Sequence, residues 1–195
     1  MSEAAPAPYP GELAREIILA DGARVRLRPI RPDDEPRLFA LYDRLSRYTA
    51  YQRFFAVANR LPPDWVHFLA NVDYRRRLAL VVEHNPTQDV LAVARYEPTD
   101  ELDTAEIAFV VEDGWQNRGL GTILLGELLA AADARGIRRF CAYVLSDNSR
   151  MLDLLRRFTD VIERKTEAGV TSILCARRPA TPRPFPERHS PDRQQ

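Results

Sequence analysis

The stretch Gly114–Thr122, GWQNRGLGT, sets Gln116, Asn117, Arg118 and two glycines, Gly119 and Gly121, between an apolar run, Ile107–Val111, and a leucine- and alanine-rich segment that opens at Leu120. Backbone that must approach a ligand closely needs glycine, because no Cβ stands in the way. A helix that opens in such a loop directs several free N–H groups at whatever lies there. Glycines, free amides and the helix dipole together make a site for an anion, most often a phosphate. Glu106 is the odd residue in the run Ala105–Val111. A carboxylate in an apolar strand is costly unless it is paired or functional. Buried there, it could take a proton from a substrate near neutral pH as a general base; the alternatives are an ion pair with one of the many arginines, or exposure at a strand edge. Asn148 stands where it can cap a helix. Tyr143 reads as core or cleft wall. His67, His84 and His189 have no spacing that suggests a metal or a triad. Cys141 and Cys175 also lack metal-like spacing and read as buried, reduced thiols.

Periodicity gives the elements that must position these residues. Arg24–Pro29 alternates and predicts a strand entered through the Asp21-Gly22 turn. Asp33 is expected to cap a helix running to about Arg47, with Leu38, Leu41, Tyr42 and Leu45 on one stripe. Tyr48–Phe55 predicts a short second helix. Pro62-Pro63-Asp64 opens a third, with Trp65, Phe68 and Leu69 facing inward. Leu78–Val82 is a buried strand, paired with Val90–Tyr96 across the turn His84–Asp89. Thr104–Val111 is the next strand, and Leu120–Arg135 is a helix ended by Gly136. Arg139–Leu145 is a strand, a helix runs from Asp147 or Asn148 to about Phe158, and Val161–Thr166 and Val170–Ala176 form a hairpin over Glu167–Gly169. Strands joined directly are expected to be antiparallel, and strands joined through helices parallel with right-handed crossovers. The product is an α/β fold: a single mixed, mostly antiparallel sheet of six or seven strands with helices on both faces.

The chain has 195 residues, which suits one domain with tails. Residues 1–11 are rich in Pro and Ala and are expected to be loose; 12–177 form the domain; 178–195, dense in proline and charge, are expected to be disordered. Lys plus Arg and Asp plus Glu are both 28, so no electrostatic excess is available for a nucleic-acid backbone. The N-terminus lacks the basic start and apolar centre of a signal peptide, and no apolar run approaches the ~18 residues of a membrane span. The expectation is a cytoplasmic protein with no membrane or nucleic-acid partner.

Gln116-Asn117-Arg118-Gly119-Leu120-Gly121 resembles the Gln/Arg-x-x-Gly-x-Gly/Ala motif of the GNAT-type N-acetyltransferases, and the element order from Arg24 to Ala176 is similar as well. A narrower resemblance, to the acetyltransferase domain of bacterial Pat-type protein lysine acetyltransferases, lies in Leu27–Asp34, Leu45-Ser46, Tyr51–Phe55 and Val72–Tyr74. Those enzymes acetylate acyl-CoA synthetases, and some carry an added regulatory domain for which 195 residues leave no room.

The resemblance implies acetyl-CoA as co-substrate, bound without metal. The amides of Asn117–Thr122 would hold its pyrophosphate, with Gln116, Asn117 and Arg118 beside them and Asn148 adding a contact. Phe109, Val110 and Val111 would pair with the pantetheine arm. Glu106 would be the general base that frees a lysine amine on a protein acceptor, by direct transfer in a ternary complex. Family members often carry a tyrosine seven residues after the asparagine as general acid; Leu155 stands there, and Thr159-Asp160 replaces the usual Gly-Phe. A small-amine acetyltransferase and a non-catalytic acyl-CoA-sensing module are the competing readings.

Overall fold

In the computed structural model, which describes residues 7–56, 58 and 60–178, the strand Leu78–His84 is buried on both faces. Its side chains alternate, as a pleated strand requires. Leu78, Leu80 and Val82 enter one apolar layer, while Ala79 and Val81 enter the other. The whole molecule is organised around that alternation. Eight strands form one sheet: β1 (Arg15–Ile18), β2 (Arg24–Pro29), β3 (Leu78–His84), β4 (Val90–Pro98), β5 (Thr104–Val111), β6 (Arg139–Leu145), β7 (Thr159–Glu167) and β8 (Val170–Arg177). Their spatial order is β1-β2-β3-β4-β5-β6-β8-β7, with β5–β6 the one parallel pair. Helices α1 (Glu35–Arg44), α2 (Arg47–Phe54) and α3 (Pro63–Ala70) cover one face; α4 (Leu120–Asp133) and α5 (Ser149–Phe158) cover the other.

The expected α/β sheet with helices on both faces is present, with one strand more than the six or seven expected. The extra strand, β1, is the other arm of a hairpin closed by the Asp21-Gly22 turn, where Gly22 adopts φ +85°. Its four residues carry too short an alternation to stand out. The expected parallel relation of β2 and β3 is corrected: they pair antiparallel. A single helix returns the chain to the opposite end of a sheet, but here α1 and α3 pack on each other as an out-and-back pair. The chain therefore re-enters beside the point it left, where the Ile30 amide donates to the Ala79 carbonyl.

Asp34, rather than Asp33, secures the start of α1. Its carboxylate is fully buried and accepts from the Arg31 amide at 2.8 Å, from Arg37 at 2.9 Å and from both terminal nitrogens of Arg28 at 2.7 and 2.8 Å. Arg28 is itself 1% exposed and its Nε donates to Glu83 on β3 at 2.8 Å. In the third helix, Val66 and Ala70 point inward, not Trp65 and Phe68, which are half-exposed. Trp65 leans on Phe54, and Phe68 carries the Arg77 guanidinium 3.7 Å above its ring.

Residues 7–11, expected to be loose, are tied down: the Ala7 amide donates to Asp73, and the Tyr9 ring meets Tyr74 edge-on while its hydroxyl donates to Pro29. Arg178 is likewise held, by Asp160 and the Phe158 carbonyl. The expected disorder of the remaining tail, 179–195, lies outside the described residues. Strand β7 forms one edge of the sheet, and Lys165 on it pairs with Glu167 at 2.9 Å. No helix among the described residues is long and apolar enough to cross a membrane.

Burial would raise the Asp34 pKa, but the Arg28 guanidinium and the Arg31 amide outweigh it and hold the carboxyl below its ordinary value. That stabilisation is complete above the unfolded value of about 3.9 and is lost as pH falls through the lower, folded one. Asp34→Asn leaves Arg28 buried and under-compensated, so unfolding free energy at pH 7 should drop by about 3–5 kcal/mol. Urea melts should show this, and the gap between variant and wild type should narrow below about pH 3.9. A wild-type midpoint at pH 7 in the variant would refute the role.

Candidate functional site

Strands β5 and β6 pair only through Thr104–Glu106 and Arg139–Cys141 and then part. On its other side β5 stays fully paired with β4 as far as Ala92↔Val111. The Glu112 amide continues that ladder by donating to Leu91 at 2.8 Å. Antiparallel pairing alternates, so Glu106, Ala108 and Val110 turn their backbone groups to β4. Ile107, Phe109 and Val111 turn theirs the other way, into the gap left by β6. That gap opens into a cleft of about 740 Å³ bordered by β5, β6, α2 and the N-terminal ends of α4 and α5.

The loop after β5 enters the cleft from above. Asn117 adopts φ +61° and Gly119 φ +89°, the left-handed region that asparagine tolerates and glycine favours. Among the described residues, the amides of Asn117, Arg118, Gly119, Leu120, Gly121 and Thr122 have no backbone or side-chain acceptor, and the first return bond of α4 runs from Ile123 to Gly119. These donors and the dipole of a 14-residue helix converge on the same space. Asn117, Gly119, Leu120, Gly121 and Thr122 all line it. The Arg118 side chain does not; it lies 3.9 Å over the Trp115 ring and pairs with Asp21.

Two residues fix this loop. Gln116 donates through its amide nitrogen to the Val111 carbonyl at 3.1 Å and to the Thr49 hydroxyl at 3.2 Å, and its oxygen accepts from Arg150 at 3.3 Å. It therefore joins β5, α2 and α5. Asp113 accepts from the Ser46 amide and hydroxyl, at 2.9 and 2.7 Å, and from the Thr49 hydroxyl at 2.7 Å. Burial would raise its pKa, but those donors hold it below the ordinary value. Ser46, Thr49 and Asp113 escaped the sequence reading. The available signal was Leu45-Ser46, a helix cap of the kind that also presents a hydroxyl outward.

Glu106 is exposed rather than buried. Its side chain shares a face with Ala108 and Val110, and the helical cover of that face reaches those two residues and ends before it. It lies close enough to matter: burial lowers the Arg53 value to about 10, the Glu106 charge offsets part of that fall, and the same charge disfavours the Cys141 thiolate. Burial together with Glu106 pushes Cys141 up to about 11, so this half-buried thiol is not a nucleophile at neutral pH. Cys175 is buried and donates to the Phe140 carbonyl. Tyr143, half-exposed, lines the cleft. Asn148, not Asp147, caps α5 by accepting from the Met151 amide at 3.1 Å, and it also borders the cleft. Leu155 is fully buried in the layer under α5 and reaches no part of the cleft.

With this geometry, comparison with known proteins is informative. Residues 38–159 match the model of the Acetyltransferase (GNAT) family. The chain is 36% identical over 141 residues to acetyltransferase Pat of Mycolicibacterium smegmatis, covering 71% of this chain and 42% of that protein. It therefore spans less than half the length of that relative. An acetyltransferase of Pseudomonas aeruginosa is 30% identical over 139 residues, covering 70% of this chain and 74% of that one. The crystal structure of the GNAT domain of S. lividans PAT superposes with a TM-score of 0.78 at 34% identity, over 86% of this chain and 98% of that domain.

The loop geometry yields a direct test. A Cβ at Gly121 meets only the Leu154 side chain, at 3.4 Å, and one at Gly119 meets nothing within 4 Å. Gly121→Val should therefore fold, and Gly119→Val should fold with a penalty of about 1–2 kcal/mol from its left-handed backbone. Both should lose acetyl-CoA binding in calorimetry, because the added branch holds the phosphates off the amides. Wild-type affinity in both variants would remove the loop from the site.

Proposed function

The chain belongs to the GNAT family of acetyltransferases, and from that premise we propose that it transfers an acetyl group from acetyl-CoA to a lysine side chain of a protein in the cytoplasm. One observation carries the reading: a run of free amides at a helix N-terminus faces the same gap into which β5 turns unpaired backbone. The amides of Asn117–Thr122 would hold the pyrophosphate, as a cradle of N–H donors does without a metal. Pantetheine carries amides like a peptide and would pair with the free backbone of Phe109 and with the Val111 amide, the Val111 carbonyl being held by Gln116, while the Val110 side chain packs behind it. Gln116 and Asn148 keep loop and helix in place. The Arg118 side chain would join only by leaving Asp21.

The chemistry is nucleophilic substitution at a thioester. The lysine nitrogen attacks the carbonyl carbon, a C–N bond forms, the C–S bond breaks and coenzyme A leaves as its thiolate, which takes a proton from water. The Val111 amide is placed to polarise the carbonyl oxygen. A proton must leave the nitrogen, and Glu106, which does not itself line the cleft but adjoins Ile107 and Ala108 that do, would accept it directly or through water, its exposure suiting contact with an entering side chain. With Leu155 buried, no side-chain acid stands at that position, and a coenzyme A thiolate departs without one. The high thiol value of Cys141 supports direct transfer over an acyl-enzyme.

Likeness to Pat supports a protein acceptor, and an acyl-CoA synthetase is the substrate we propose. Buried Leu155 favours one rival, a non-catalytic acyl-CoA sensor. Turnover separates them, since a sensor would bind acetyl-CoA and release no thiol with any amine. Purified synthetase, a polyamine and an aminoglycoside should be offered in parallel. Transfer to the synthetase lysine is expected, and transfer to the small amines alone would overturn the protein reading.

Glu106→Gln should lower kcat by roughly 10²–10⁴-fold at pH 7, with acetyl-CoA affinity unchanged because the amide loop is untouched. Much of the loss should return at high pH, since lysine titrates near ~10.4 and is then increasingly neutral. Near-wild-type kcat across the pH range would make Glu106 a bystander.

A further inference from the structure

A second cavity, of about 40 Å³, lies between the sheet and helices α1–α3. Its walls are apolar, with Leu41, Tyr42, Phe54, Leu69 and Val93 around it. The one guanidinium at its back, Arg95, is satisfied by Glu97 and by the Leu69 carbonyl. Three residues, Arg53, Ala108 and Val110, border this cavity and the cleft alike. Ala108 and Val110 occupy the stretch of β5 where β6 has parted, so the cavity lies directly behind the place where a thioester would rest. Arg53 stands between the two spaces. It stacks on Phe54 at 4.9 Å and makes no ion pair among the described residues. Its aliphatic stem can line the opening while its charged end stays near Glu106 and Glu97.

We propose that this cavity receives the tail of the acyl group, so that the enzyme takes three- and four-carbon acyl-CoA thioesters in preference to acetyl-CoA. The proposal rests on the reading that the coenzyme lies in the cleft. A space lined this way offers water few partners and offers an alkyl group dispersion contacts on all sides. At about 40 Å³ the cavity is small, which limits the extension to one or two methylene groups. Each one buried is worth about a fourfold gain in affinity. The bond changes are those of acetyl transfer, because the tail takes no part in them.

Calorimetry with coenzyme A and with its acetyl, propionyl, butyryl and hexanoyl thioesters tests this without an acceptor. Propionyl-CoA should bind about fourfold tighter than acetyl-CoA, butyryl-CoA at least as tightly as propionyl-CoA, and hexanoyl-CoA more weakly. Val93→Leu, which fills the cavity, should remove the gain while acetyl-CoA affinity holds. Leu69→Ala, which enlarges it, should move the optimum to a longer chain. Melting curves would confirm that both variants fold. Equal affinity for all the thioesters, or a preference unmoved by both substitutions, would overturn the proposal. Failure of free coenzyme A to bind would instead overturn the placement of the coenzyme, and the acyl cavity with it.

Discussion

The site exists because β5 and β6 run parallel and separate after three paired residues. A parallel neighbour cannot be reached by a tight turn, so the chain must cross over through α4. That crossover puts the N-terminus of α4 at the end where the strands part. One constraint thus delivers two things: backbone on β5 with no strand to pair with, and helix amides with nothing to accept from them. Unpaired main-chain groups are expensive inside a protein. Here they line an opening, where a ligand with its own amides and phosphates can meet them.

An opening between strands must be prevented from closing or widening, and the surrounding polar contacts serve that end. Gln116 spans three elements with one side-chain amide. Asp113 holds the start of α2 against the loop. Further back, Arg28, Asp34 and Glu83 fix the entry to α1, and α1 in turn sets where α2 lies over β5. Removing one member of a buried charge group is far more damaging than the pair is stabilising, so this network chiefly enforces a single position for the helices.

Much of this could be read from residue order. The glycines of the loop, the leucine-rich helix after it and the alternation of the central strands each carry a local signal. What the sequence hid depends on partners far away. Arg28 sits in an alternating strand and reads as solvated, yet it is buried because Asp34 and Glu83, 6 and 55 residues along, meet it. Trp65 and Phe68 read as core but find their contacts in Phe54 and Arg77 at the surface. Glu106 reads as buried because its neighbours in sequence are apolar; it is exposed because the helices over its face stop short of it. Periodicity gives the face a residue occupies, but not how far the covering helices extend.

The cations that hold the fold together are almost all of one kind. The chain has a single lysine, Lys165, set on the outer strand β7. Among the described residues, every ion pair apart from those of Lys165 and His67 uses arginine. A guanidinium keeps its proton at any physiological pH, whereas an ammonium releases a small fraction of neutral, nucleophilic amine. A protein that holds an activated thioester in its own cleft is bathed in an acylating agent. Built from arginine, its framework offers that reagent almost nothing to modify, and its charge pairs stay intact while the acyl donor is spent on the acceptor.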